Sequence, residues 1–155
     1  MFQQRGVAMK DSLRSGLTFQ FRFTVPENKT VPFLFPESLE FQMMPKVLAT
    51  GFMVGLFEWA CIEAVNPHLD WPKEQTVGIG VSLTHSAATP PGLTVTVKGK
   101  LERVEGRKLT FSLSADDGIE EISKGTHERF VIDADRFNDK IAMKTRGIGK
   151  PQLRR

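Results

Sequence analysis

The segment KVLATGFMVGLFEWACIEAV, entered at Pro45 and stopped at Asn66-Pro67, constrains the fold more than any other part of the chain. It is rich in helix formers and apolar on nearly every side, and a proline suits the first position of a helix. A helix that is apolar all round has to be enclosed, not laid on a surface. It is no membrane span: its apolar run over 47–57 is interrupted by Thr50, Gly51 and Gly55 and closed by Glu58, against the roughly 20 apolar residues a span needs.

What encloses it is legible from a change of period. In residues 17–25 (LTFQFRFTV) Leu17, Phe19, Phe21, Phe23 and Val25 face one way and Thr18, Gln20, Arg22 and Thr24 the other. That is a half-buried strand, ended by Pro26. Residues 26–46 carry Pro26, Pro32, Pro36 and Pro45 and read as an ordered, irregular connection. Beyond the helix, Val77, Ile79, Val81, Leu83 and His85 share one phase, and Leu93, Val95, Val97, Gly99 and Leu101 repeat it. A turn at Glu105-Gly106 leads into Leu109, Phe111 and Leu113, and Asp116-Asp117-Gly118 precedes a weaker strand over 121–133. Short connections make these four strands antiparallel. The expected class is α+β: an antiparallel β-sheet wrapped around one long central α-helix. The tail after Phe137 is expected to begin helical and then fray through Gly147, Gly149 and Pro151.

The chain has 155 residues, 40% hydrophobic and 25% charged, which suits one domain with one core. Cys61 is the single cysteine, so an intrachain disulfide is excluded, and the N-terminus lacks the apolar stretch of a secretory signal. Both point to the cytoplasm. The net charge is +3, but residues 136–155 carry +6 and residues 1–14 carry +2, leaving −5 on the body. A mildly acidic body with basic ends is no nucleic-acid-binding face.

Three residues stand out chemically. The helical neighbours of Glu58 are Val54, Gly55, Cys61 and Ile62. Burying a carboxylate on that face raises its pKa unless a cation or hydrogen-bond donors meet it. It is either a structural ion-pair member or an active-site group. Gly51 and Gly55 leave a notch before it, open to close packing or to substrate. Thr50, near the helix start and roughly 12 Å from Glu58 along the axis, either binds a ligand or caps a preceding carbonyl. His85 continues the inward phase of its strand, as a satisfied core histidine or as the acid–base partner of Glu58. His127 and Arg129 share a phase on a poorly alternating strand, and His68 sits in a loop. No phosphate-binding loop, nucleophile elbow or metal-ligand spacing is present, so neither a metal nor a cofactor is expected.

NKTV at 28–31, PES at 36–38, ATGFMVGLFEWAC at 49–61, THSAATPPGLTVTV at 84–97, VEGR at 104–107 and SKGTHERFVI at 123–132 closely resemble the fluoroacetyl-CoA thioesterases, collinearly from about Met9 to Thr145. The resemblance implies a hot-dog fold over residues 9–145, with an extension over 1–8, a basic tail over 146–155, and Met9 as an alternative start. It implies a homodimer with interfacial pockets that hydrolyses a short acyl-CoA. It places catalytic roles on Thr50, Glu58 and His85, a glycine beside the thioester on Gly78, and a pocket arginine on Arg129. Glu58 would attack the thioester or activate water, His85 would handle protons, and Thr50 would orient Glu58 or the thioester. Of two lid phenylalanines one is Phe41 and the other position holds Met44; Leu48 likewise replaces a bulkier aromatic. A flexible lid residue leaves open a broader short-chain thioesterase, and a non-catalytic acyl-CoA-binding module is the reading from another class. Arg103, Arg107, Lys108 or the tail are the candidates for the CoA phosphates.

Overall fold

A computed structural model describes residues 9–148. Its centre is a five-stranded, wholly antiparallel sheet in the order β1-β3-β4-β5-β2. The strands are β1 (Thr18–Thr24), β2 (Glu74–Leu83), β3 (Thr94–Glu105), β4 (Lys108–Asp116) and β5 (Glu121–Asp133). Against one face lies the helix α2 (Thr50–Val65), preceded by a single-turn α1 (Leu39–Gln42) and followed after β5 by α3 (Ala134–Ile148). Met53, Leu56, Phe57, Ala60, Cys61 and Val65 of α2 are buried against Val95, Val97, Leu101, Leu109, Phe111, Leu113 and Val131 of the sheet. None of the described helices is long and apolar enough to cross a membrane.

The alternation of the first strand holds. Phe19 meets Phe111 edge-on at 6.0 Å, and Phe21 and Phe23 meet Trp59 of α2 at 4.7 and 6.1 Å. Other expectations need correction. The helix begins at Thr50, not at Pro45. Leu48 and Ala49 are extended instead, because Val47 accepts from Val31 N, Leu48 donates to Thr89 O and Ala49 donates to Lys29 O. Long-range pairing of two buried residues, Leu48 and Ala49, outweighs local helix propensity.

The strand after the helix also differs. It starts earlier, at Glu74, and ends at Leu83, so His85 lies beyond it. It does not hairpin to β3: residues 84–93 cross over, and β2 pairs with β5 at the sheet's edge. Its ladder slips between Gly78 and Gly80, which leaves Ile79 as the extra residue of a bulge. Opposed residues share a face, so Thr76 and Gly78, opposite Val131 and Arg129, face α2, as does Val81 opposite His127. Val77 and Ile79 turn to the outer face beside Phe130 and Phe137. One phase in the sequence is thus two faces in the fold. Helix α3 starts at Ala134, earlier than expected, and the end of the tail lies outside the described residues.

Candidate active site

Glu58 leaves α2 toward β2 and β5, and a cation does meet it. Arg129 Nη1 donates to Glu58 Oε2 at 2.9 Å, with the arginine side chain 2% exposed and the glutamate 41% exposed. The pair is buried on one side and open on the other, so a ligand can reach the carboxylate. Arg129 is itself fixed: Nε donates to Thr76 Oγ1 and Nη2 to the Thr76 carbonyl, both at 2.8 Å. Gly78 lies above the pair, so close that a Cβ there would stand 2.9 Å from Glu58 Oε2 and 3.4 Å from Arg129 Nη1. Any side chain at this point would press on the carboxylate, because the backbone passes directly over it.

Arg129 Nη1 also lies 3.1 Å from His127 Nε2, whose other nitrogen, Nδ1, is 2.8 Å from the Gly80 carbonyl. Burial is the largest influence on His127 and holds it below the ordinary histidine range, helped by the Arg129 charge and opposed by the Gly80 contact and by Glu58 and Glu128. Cys61 also lies within the field of Arg129 and Glu58, and burial pushes its thiol up to about 12.

A second group stands at the start of α2. Thr50, the first helical residue, places Oγ1 2.7 Å from His85 Nδ1. His85 Nε2 is buried and has no protein partner. Burial lowers the affinity of His85 for a proton, partly offset by a contact to the Ala87 backbone. Its backbone neighbours Thr84 and Ser86 donate to Lys124 O and Ile122 O, which continues the β2–β5 pairing and fixes the ring beside the helix start. The structure therefore joins Thr50 to His85, and Glu58 to Arg129 and Gly78, as two groups spaced along one helix.

Leu34 fills the space above Gly51, where a Cβ would meet it at 3.1 Å. Ser38 caps α1 by accepting from Phe41 N, Phe41 stacks on Phe35 at 5.6 Å, and Met44 is 51% exposed. Among the basic candidates, Arg103 faces Glu105 at 3.8 Å and Lys108 faces Glu128 at 3.3 Å. Arg107 lines an outer cleft of about 290 Å³ with Arg136 and Lys140.

Residues 25–135 match the family described as fluoroacetyl-CoA-specific thioesterase. The chain belongs to that family. It is 55% identical over 137 residues to the fluoroacetyl-CoA thioesterase of Streptantibioticus cattleyicolor, covering 88% of this chain and 98% of the relative. A solved structure of the fluoroacetyl-CoA thioesterase FlK superposes with a TM-score of 0.84 at 54% identity, over 86% of this chain and 98% of the other. A hot-dog-like protein from Thermanaerovibrio acidaminovorans, 21% identical, superposes with a TM-score of 0.70 over 84% and 91% of the two chains, and shows the fold alone. The sheet around a central helix is thus the hot-dog fold of the fluoroacetyl-CoA-specific thioesterases. Two members of the charged cluster went unassigned by sequence reasoning. Thr76 precedes the expected start of its strand. His127 did carry a signal, its two-residue spacing from Arg129.

Proposed function

We propose that this chain hydrolyses fluoroacetyl-CoA to fluoroacetate and CoA, with Glu58, His85 and Thr50 as the working groups. The observation that carries this reading is the Glu58–Arg129 pair, a carboxylate held at 2.9 Å by a buried guanidinium yet open to solvent on its far side. The guanidinium fixes the aim of the Glu58 carboxylate, as a nucleophile or a general base requires. Glu58 either attacks the thioester carbonyl carbon or takes the proton of a water that does. In the first case the carbon–sulfur bond breaks to leave an acyl–Glu58 anhydride, which water then opens to the free acid and carboxylate; in the second the water oxygen enters the acid directly. In both, CoA leaves as the thiol, its proton handled at His85 Nε2, the atom left without a protein partner. Thr50, bonded to Nδ1, sets the ring's orientation. Gly78 lets the β2 backbone pass close to the carboxylate, beside the thioester, and Arg107, Arg136 and Lys140 offer positive charge to the CoA phosphates.

The working form is a cytoplasmic homodimer. Edge strand β2 has Ile79 and Val81 each 51% exposed, and a second copy laid antiparallel along it would cover them. Thr50 and Glu58 lie roughly 12 Å apart along α2, so a two-fold partner is also the natural way to set the Thr50–His85 pair of one copy across from Glu58 of the other. Met44 supports a second reading, a broader short-chain thioesterase, because a flexible and half-exposed side chain at the lid makes a looser closure than an aromatic ring.

Steady-state hydrolysis of fluoroacetyl-, acetyl- and longer acyl-CoAs tests both readings. Glu58→Gln and His85→Ala are expected to lose at least about 100-fold in kcat. Absence of turnover by the native chain would refute the proposal, and equal kcat/KM for fluoroacetyl- and acetyl-CoA would select the broader enzyme. Repeated turnover in ¹⁸O-water separates the two roles of Glu58: an acyl–Glu58 anhydride opened at the Glu58 carbonyl leaves label in that carboxylate, and direct attack by water places it only in the acid.

A further inference from the structure

We infer that His127 is a positioning residue for the reaction, holding Arg129, and through it Glu58, by accepting a hydrogen bond that only a neutral imidazole can accept. The inference rests on the role proposed for Glu58. Arg129 cannot accept a hydrogen bond, so at 3.1 Å the guanidinium Nη1 donates and His127 Nε2 accepts. The proton of the neutral ring is then on Nδ1, where the Gly80 carbonyl receives it at 2.8 Å. One tautomer satisfies both contacts. Nη1 thus donates one hydrogen to Glu58 and the other to His127, while Nε and Nη2 are spent on Thr76. Four of the five guanidinium hydrogens are committed, and the plane that aims Nη1 at Glu58 is fixed on both sides.

The carbonyl at the far end belongs to Gly80, the residue where the β2 ladder resumes after the bulge. Without that slip the register would not turn this carbonyl toward His127. The relay therefore runs from the bulged edge strand through His127 and Arg129 to the carboxylate. His127 and Arg129 are 3% and 2% exposed, so no water competes freely for these contacts.

Protonation breaks the relay. An imidazolium would set Nε2–H against the N–H of a guanidinium, replacing a hydrogen bond with two opposed donors and two like charges. The charged groups that face the ring are Arg129 and Glu128 of its own strand and Glu58 of α2. Arg129 resists the protonation and the carboxylates favour it, and burial keeps the balance on the neutral side. An acid limb in kcat, falling below the ordinary histidine range, is the expected signature.

The test uses three variants in the full-length protein. His127→Gln supplies an amide that can donate to Gly80 and accept from Arg129 together but cannot be protonated. His127→Leu keeps the bulk and removes the acceptor. Glu58→Gln fixes the reference. His127→Leu is expected to lose about 10-fold in kcat at pH 8, the rate equivalent of about one lost hydrogen bond, with KM for fluoroacetyl-CoA changed less than 3-fold. His127→Gln is expected to recover most of that kcat and to flatten the acid limb. Wild-type kcat in His127→Leu, or an unaltered acid limb in His127→Gln, would overturn the inference. An active Glu58→Gln would instead overturn the role of Glu58, whatever the His127 variants do. A readout independent of turnover is the imidazole ¹⁵N spectrum, which must show the Nδ1–H tautomer for His127 near neutral pH. An Nε2–H tautomer would also overturn it, even if a variant fails to fold.

Discussion

Replacing Gly78 with alanine puts a methyl group at the point of β2 that passes over the carboxylate. The added Cβ would stand 2.9 Å from Glu58 Oε2, 3.3 Å from His127 Cε1 and 3.4 Å from Arg129 Nη1. The first distance is about half an ångström inside comfortable contact. Of the three groups it presses on, Arg129 is pinned by Thr76 and His127 by Gly80, while the Glu58 side chain is 41% exposed and free to swing outward. Glu58 therefore gives way by about 0.5 Å, and its 2.9 Å bond to Arg129 lengthens. The fold is little affected, because alanine in a strand gains roughly 0.5–1 kcal/mol over glycine in backbone entropy, which offsets the local strain. Catalysis is affected more. If a 1 Å misplacement costs about 100-fold, half of it costs about 10-fold, or about 1.4 kcal/mol of transition-state stabilisation. The assay is kcat and kcat/KM by thiol release on fluoroacetyl-CoA, with thermal unfolding in parallel. A Tm within about 3 °C of the native chain together with a 10-fold loss is the expected pair. Native kcat in a stably folded Gly78→Ala would refute the reasoning, because it would mean that the carboxylate's exact seat against Arg129 does not matter.

Two further perturbations probe the scaffold. At Gly125 of β5 an added Cβ would overlap the Ser82 carbonyl oxygen and Leu83 Cα, both backbone atoms that cannot rotate away. Gly125→Ala is therefore expected to cost about 3 kcal/mol or more and to lower Tm by roughly 10 °C. A Tm within about 2 °C of native would show that β2 and β5 lie less closely than the register implies. Cys61 is fully buried with its thiol pushed up to about 12. It should resist alkylation at about pH 8 in the folded protein and react fully in denaturant. Rapid labelling without denaturant would contradict its place beneath Glu58.

What was legible in the sequence was whatever depends on neighbours a few residues apart. The alternation of Phe19, Phe21 and Phe23 follows from a period of two and the fold keeps it, whereas α2, apolar on nearly every side, buries one face against the sheet and leaves Trp59 half-exposed. The helix start was misplaced because Leu48 and Ala49 are held extended by Thr89 and Lys29, partners far away along the chain. Glu58 could be singled out because a carboxylate among Val54, Cys61 and Ile62 demands a partner, but that demand does not name Arg129, 71 residues on. Nor does anything local to Thr50 announce His85 as the group its hydroxyl meets.

The strand β2 shows why local pattern and site geometry part company. VGIGVSL reads as one unbroken alternation, yet Ile79 is extruded between two glycines, the residues that tolerate such a kink at least cost. The slip turns Val77 and Ile79 outward and Val81 inward, so this edge strand is apolar on both faces. An edge left bare in that state invites pairing with another chain. The same slip sets Gly78 over the carboxylate and the Gly80 carbonyl against His127. A bulge of one residue thus couples three things that sequence periodicity treats as unrelated: the strand's exposed edge, the clearance above Glu58, and the tautomer of the histidine that steadies its arginine. Any second copy that pairs along β2 would press on the bulge and, through it, on the aim of the carboxylate.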